Sequence, residues 1–103
     1  MQTAKKQNLA RAGFVETNIQ DFLGLTPEES TYIEMKVALC GKLKELRRKR
    51  RLTQTQLAKA LKSSQSRVAK MEAGDASVSV DLVVKSLLAI GASREDIAKA
   101  ITA

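Results

Sequence analysis

The 103-residue sequence predicts an all-α fold. Three observations carry that prediction. Apolar residues recur at three- and four-residue spacing through most of the chain, which is the helical period. Thr or Ser starts with an acid three residues on, and glycine stops, cut the chain into pieces of helical length. Strict alternation occurs only in SVSV at 77–80, which is too short for a strand and abuts a helix start. Five helices are expected from position 27 onward, the first of them long, with a sixth if residues near 17–23 form one.

Residues 1–25 read as a loosely organised segment, or one that packs on the long helix. Gly13 and Gly24 bracket VETNIQDFL, where Thr17 could cap a short helix carrying Ile19, Phe22 and Leu23. The first strong start is Thr26-Pro27-Glu28-Glu29: Thr as N-cap, Pro in the first helical position and Glu in the third. Apolar residues follow at Tyr32, Met35, Leu39, Leu43 and Leu46, widened by Ile33, Val37 and Cys40, so one helix is expected over about 27–50. Its basic C-terminal end suits the negative end of the helix dipole.

Two short patterns come next, Leu57 with Leu61 and Val68 with Met71, each too brief to hold a helix alone in water. Gly74 would stop the second of these helices. Ser77 or Ser79 would cap another, with Leu82, Val83, Leu87, Leu88 and Ile90 inward and Gly91 as its stop. Ser93 with Asp96 opens a last helix carrying Ile97 and Ile101.

The length suits a single domain with a modest core, built from Leu, Ile, Val and Ala because aromatics are scarce. One Cys and no His leave no disulfide framework and no Cys/His metal cluster, and a lone Cys fits a reducing, intracellular setting. VVKSLLAI is interrupted by Lys85, so no apolar run is long enough for a membrane helix. Nor does the basic N-terminus lead into the apolar stretch of a secretory signal. The formal charge is +7, but residues 36–71 alone carry +11 and the remainder −4. Such concentration points to an anionic partner, nucleic acid above all.

The basic region surrounds a corner. LTQTQLAKALKSSQSRVAKMEAGD, at 52–75, reads as helix, tight turn, helix, with RRKRR at 47–51 just before it. A small residue, Ala58, sits where two steeply crossing helices would meet. The outward face of the second helix would show Gln65, Ser66, Arg67 and Lys70. Gln can bond adenine at two points, Arg can do so with guanine, and Lys can reach guanine or phosphate.

Leu-Thr-Gln, Leu-Ala, Ser-Gln-Ser-Arg-Val and Met-Glu-x-Gly at this spacing resemble the core of Xre-type, lambda-repressor-like helix-turn-helix transcriptional regulators. The resemblance covers Leu39 to Ile101. It implies a five-helix DNA-binding domain over 26–103, with core 39–101 and a first helix extended at its N-terminus. It further implies a dimeric repressor that reads the major groove of double-stranded DNA with residues 64–73. Gln65, Ser66, Arg67 and Lys70 would read bases. Thr53, Gln54, Lys62, Ser64, Arg50 and Arg51 would contact phosphates, and Arg47 would pair with Glu72. A bacterial regulator of this class works in the cytoplasm, at the nucleoid. This chain departs from the family at Arg51 and Lys62, positions usually occupied by Gly because both tend to positive φ. Ser63 departs too, standing where an apolar residue often seals the corner.

The family unit leaves Tyr32, Ile33 and Val37 as an apolar stripe. Either the N-terminal segment, with Phe14, Ile19 and Phe22, folds over it, or it is a dimer or partner interface. Compact regulators of this kind also resemble antitoxins that repress their own operon and hold a small messenger-RNA-cleaving toxin. A charge-driven, non-specific nucleic-acid binder and a protein-interaction bundle are the rivals. RNA readers usually stack bases on exposed aromatics, and none lies in the basic third.

No enzyme is expected. Ser63, Ser64 and Ser66 have no His to act as base, Glu28 and Glu29 are explained by capping, and the glycines make no phosphate loop. Neither a cofactor nor a metal is implied.

Overall fold

The computed structural model describes residues 24–102, which form five helices and no strand. They are α1 (Pro27–Lys49), α2 (Gln54–Ala60), α3 (Gln65–Ala73), α4 (Val80–Ala89) and α5 (Arg94–Thr102). The fold is all-α, as the apolar period predicts. The short helix expected from Thr17 to Leu23, and the packing expected of Phe14, Ile19 and Phe22, lie outside the described residues.

The described residues divide between two units, one ending at Ile33 and one beginning at Glu34. In the first, Thr26 and Glu29 close the expected capping box. Thr26 Oγ1 accepts from Glu29 N–H at 3.1 Å, and Glu29 Oε1 accepts from Thr26 N–H at 2.9 Å. In the second, Thr53, Ser64, Ser79 and Ser93 open the four remaining helices, each hydroxyl accepting a backbone N–H three residues on. Ser79, not Ser77, caps α4. Satisfying N–H groups that a helix start leaves unpaired stabilises each by about 1 kcal/mol.

The C-terminal ends of α1 to α4 repeat one device. A residue in the left-handed region follows each helix: Arg51 (φ 57°), Lys62 (φ 55°), Gly74 (φ 70°) and Gly91 (φ 99°). In every case that residue's N–H bonds back three positions and the next residue's N–H bonds back five, as in Ser63 N–H to Ala58 O at 2.8 Å. This is the Schellman arrangement. Both departures from the family's glycines therefore keep the backbone that glycine would have favoured.

Among the described residues, thirteen buried apolar residues make one core. Leu39, Cys40, Leu43 and Leu46 come from α1, Leu57 and Ala58 from α2, Val68 and Met71 from α3, and Val83 and Leu87 from α4. Fully burying a side chain of this kind stabilises by roughly 1.5–3 kcal/mol, so each short helix is held by its apolar stripe more than by its propensity. Ile97 and Ile101 of α5 are partly buried against this core.

Leu88 corrects an expectation. Placed inward by the sequence, it is 49% exposed, because Val83 and Leu87 set the buried stripe of a ten-residue helix and Leu88 falls about 100° away from it. On α1, burial begins at Leu39, so Met35 is exposed as well.

Candidate nucleic-acid interface

α2 and α3 pack on each other across a four-residue corner, Leu61 to Ser64. Leu57 and Ala58 on one side, and Val68 and Met71 on the other, are buried, which fixes which face each helix turns outward. Ala58 sits in the core, as a close crossing requires. Lys62 adopts the left-handed turn and leaves its side chain exposed. Ser63 is half-buried, and its Oγ has no hydrogen-bond partner among the described residues. An apolar side chain there would avoid that loss.

Gln65, Ser66, Arg67 and Lys70 are all exposed on α3. Ser66, Arg67 and Lys70, with the capping Ser64, line one side of a groove, and Ser77, Val78 and Leu82 from beyond α3 line the other. Sequence reasoning missed that second wall, since nothing in its spacing signals a nearby helix face. Asp75 shapes it: Oδ1 accepts from Ser77 N–H at 2.8 Å and from Ser77 Oγ–H at 2.6 Å. Those two bonds hold the Asp75 carboxyl below its ordinary range.

Behind Gln65 runs a continuous line of side-chain hydrogen bonds. Gln65 Nε2 donates to Gln54 Oε1 at 2.6 Å, and Gln54 Nε2 donates to Glu72 Oε1 at 3.2 Å. Arg47 then grips Glu72 at both oxygens, Nε to Oε2 at 2.5 Å and Nη2 to Oε1 at 3.0 Å. Arg47 Nη1 also donates to the Leu52 carbonyl at 2.7 Å, closing the link between α1 and α2. Burial pushes the Glu72 carboxyl up, but the bonds from Arg47 and Gln54 and the nearby charges of Arg47 and Lys44 outweigh it, so it stays ionised below the usual carboxylate range. Its bond to Arg47 raises the guanidinium correspondingly. The family resemblance implies the Arg47–Glu72 pair; the bonds that extend it through Gln54 to Gln65 are visible only in the structure.

The other expected phosphate contacts are placed unevenly. Thr53 is an exposed N-cap in a capping box with Gln56, which sequence reasoning had not paired with it. Gln54 is half-buried within the line of bonds just described. Arg51 is exposed beside the α1 stop. Arg50 is engaged elsewhere: its guanidinium donates to the Ile90 carbonyl at the end of α4 and crowds Gly91.

No helix among the described residues is long and apolar enough to cross a membrane. Among the same residues no group of three or more His, Cys, Asp or Glu side chains could hold a metal ion. Cys40 lies in the core, and burial pushes its thiol up, against the opposing pull of Lys36 and a backbone bond from Gly74. A family model described as a helix-turn-helix domain matches residues 38–100. No curated protein matches the chain, and no solved structure does.

Proposed function

The chain belongs to the helix-turn-helix domain family, and from that premise we propose that it is a sequence-specific, double-stranded-DNA-binding transcriptional regulator, a dimeric repressor of the Xre, lambda-repressor-like class. The observation that carries this reading is the outer face of α3. Gln65, Ser66, Arg67 and Lys70 stand exposed on a helix whose inner face is fixed by Val68 and Met71. These are side chains that recognise base edges in the major groove. Phosphate neutralisation by Lys62, Arg51 and their basic neighbours supplies most of the affinity. Thr53, Gln54 and Ser64 meet the backbone at the starts of α2 and α3, and Arg50 joins them if DNA draws it from Ile90. Residues 26–103, with core 39–101, form the DNA-binding domain.

A second reading, an antitoxin, is favoured by one observation. Tyr32, Ile33 and Val37 on α1 are 52%, 44% and 54% exposed, a costly display for apolar side chains unless a protein covers them. A second copy of the chain, or a small messenger-RNA-cleaving toxin, would do so. Failure of the product of any adjacent reading frame to co-purify would remove the toxin.

The test of the main reading begins by selecting duplexes from a random pool with the wild-type protein. The selected duplex and a scrambled one are then compared by fluorescence anisotropy at physiological salt. The expected preference is at least about 10³-fold, and Arg67→Ala closes much of it. Equal binding of both duplexes would leave the charge-driven, non-specific binder.

A further inference from the structure

The helix-turn-helix match begins at residue 38, yet two side chains from just before it reach the far end of α3. Lys36 Nζ donates to the Asp75 carbonyl at 3.1 Å. Val37 Cγ2 lies 3.8 Å from where a Cβ on Gly74 would stand. Gly74 and Asp75 close α3, their N–H groups bonding to the Met71 and Lys70 carbonyls at 3.2 and 3.0 Å. The Asp75 carbonyl that Lys36 holds also accepts from Val78 N–H at 3.0 Å. The ammonium therefore grips the oxygen that closes the turn leading to α4. That turn is the wall, Ser77 and Val78, facing Arg67 and Lys70 across the groove.

We propose that Lys36 is a positioning residue of the DNA groove, holding the Asp75 carbonyl and so setting the Ser77–Val78 wall opposite the base-reading side of α3. Two anchors bind that wall. From within, the Asp75 carboxylate takes both Ser77 donors. From α1, the Lys36 ammonium fixes the peptide itself, and a charged donor makes a stronger bond than a neutral one. Val37, beside the place a Gly74 side chain would fill, marks where α1 passes the end of α3 within reach of the lysine. The segment before the family domain is thus part of the DNA site. This inference rests on the DNA-binding reading above.

A lysine that merely touched a phosphate would behave differently. Its loss would lower the slope of log K against log salt by about 0.9, because one fewer counterion is released. A positioning lysine leaves that slope alone.

The test uses the full chain, the duplex selected from a random pool, and the variants Lys36→Met and Lys36→Arg. Lys36→Met keeps the stem and removes the donor, with Lys36→Gln in reserve should it fold poorly. Lys36→Met is expected to weaken the duplex about fivefold at fixed salt with an unchanged salt slope, and Lys36→Arg to restore most of the loss. In the free protein, the backbone amide NMR signals of Ser77 and Val78 move in Lys36→Met and return in Lys36→Arg. A slope lowered by about 0.9, an unchanged affinity, or unmoved Ser77 and Val78 signals overturns the proposal while DNA binding stands. Failure of wild type to retain any duplex overturns both.

Discussion

Arg47 and Glu72 meet at two points, 2.5 and 3.0 Å, across 25 positions of sequence, with side chains only 12% and 3% exposed. The pair ties α1 to the last turn of α3. Removing one partner of a buried pair typically costs about 3–5 kcal/mol, because the other charge is left without compensation. Arg47→Met is expected to cost about 3 kcal/mol by denaturant unfolding. The double replacement Arg47→Met/Glu72→Leu should cost clearly less than the sum of its parts, since neither charge is then stranded.

The same pair sets an acid response. Glu72 is held below its ordinary value of 4.5 in the folded chain and reverts to it on unfolding. The stabilisation is therefore present in full above that ordinary value and disappears as pH falls through the lower folded one. Between pH 7 and pH 5 the thermal midpoint should show no Glu72 contribution to its slope, and below about pH 4.5 it should fall. Asp75 and Asp96 are lowered too, by bonds from Ser77 and Ser93, but from an ordinary value of 3.8, so their contribution fades at lower pH than that of Glu72. Subtracting the Glu72→Gln profile from the wild-type profile isolates the Glu72 part. Parallel profiles across the acid range would show that it has none.

Gln54 is expected to act on recognition without touching the core. Its carbonyl oxygen holds the Gln65 amide at 2.6 Å, so one donor of Gln65 is committed before any base arrives. The Gln65 side chain meets DNA already oriented, which lowers the entropy lost on binding. Gln54→Ala should weaken the selected duplex by about tenfold and erode its preference over a scrambled one. In a cycle with Gln65→Ala the two losses should fall short of additivity. Additive losses would mean that the two glutamines act separately.

What the sequence made legible divides along physical lines. Helix starts were readable because capping is local: Thr26 with Glu29 and Ser93 with Asp96 are three residues apart and need no partner from elsewhere. Long-range polar bonds were not, apart from the Arg47–Glu72 pair that the family resemblance implied. Arg50 reaches Ile90 and Lys36 reaches Asp75 across 40 and 39 positions, and an exposed basic residue carries no mark of which carbonyl it will find. Leu88 failed for another reason. A run such as LLAI is apolar all round, and only the packed partner decides which residue turns outward.

Glycine at the ends of α3 and α4 is required for different reasons. At Gly74 an added Cβ meets nothing closer than Val37 Cγ2 at 3.8 Å, so the cost is the left-handed backbone alone, about 1 kcal/mol. At Gly91 it would stand 2.8 Å from Arg50 Nη2 and displace the guanidinium from the Ile90 carbonyl. Gly91→Ala should therefore destabilise by about 1 kcal/mol more than Gly74→Ala. In an Arg50→Ala background the gap should narrow, leaving only the greater backbone strain of φ 99° over φ 70°. A gap that does not narrow there would place the crowding somewhere other than Arg50.

Lys62 places charge and strain in opposition. Its φ of 55° costs roughly 1–2 kcal/mol in a residue with a Cβ. Glycine would release that strain but lose about 0.5–1 kcal/mol to the greater freedom of the unfolded chain. Lys62→Gly should thus leave the fold as stable or up to about 1.5 kcal/mol more stable, whereas Lys62→Ala keeps the Cβ and gains nothing. A thermal midpoint for Lys62→Gly several degrees above that of Lys62→Ala is the expected result. On DNA the two should agree, each lowering the salt slope by about 0.9 if the ammonium meets a phosphate. A lysine kept at a strained corner at the expense of stability is then explained by the charge it carries there. Unchanged salt slopes in both variants would leave the strain at Lys62 without a function in binding.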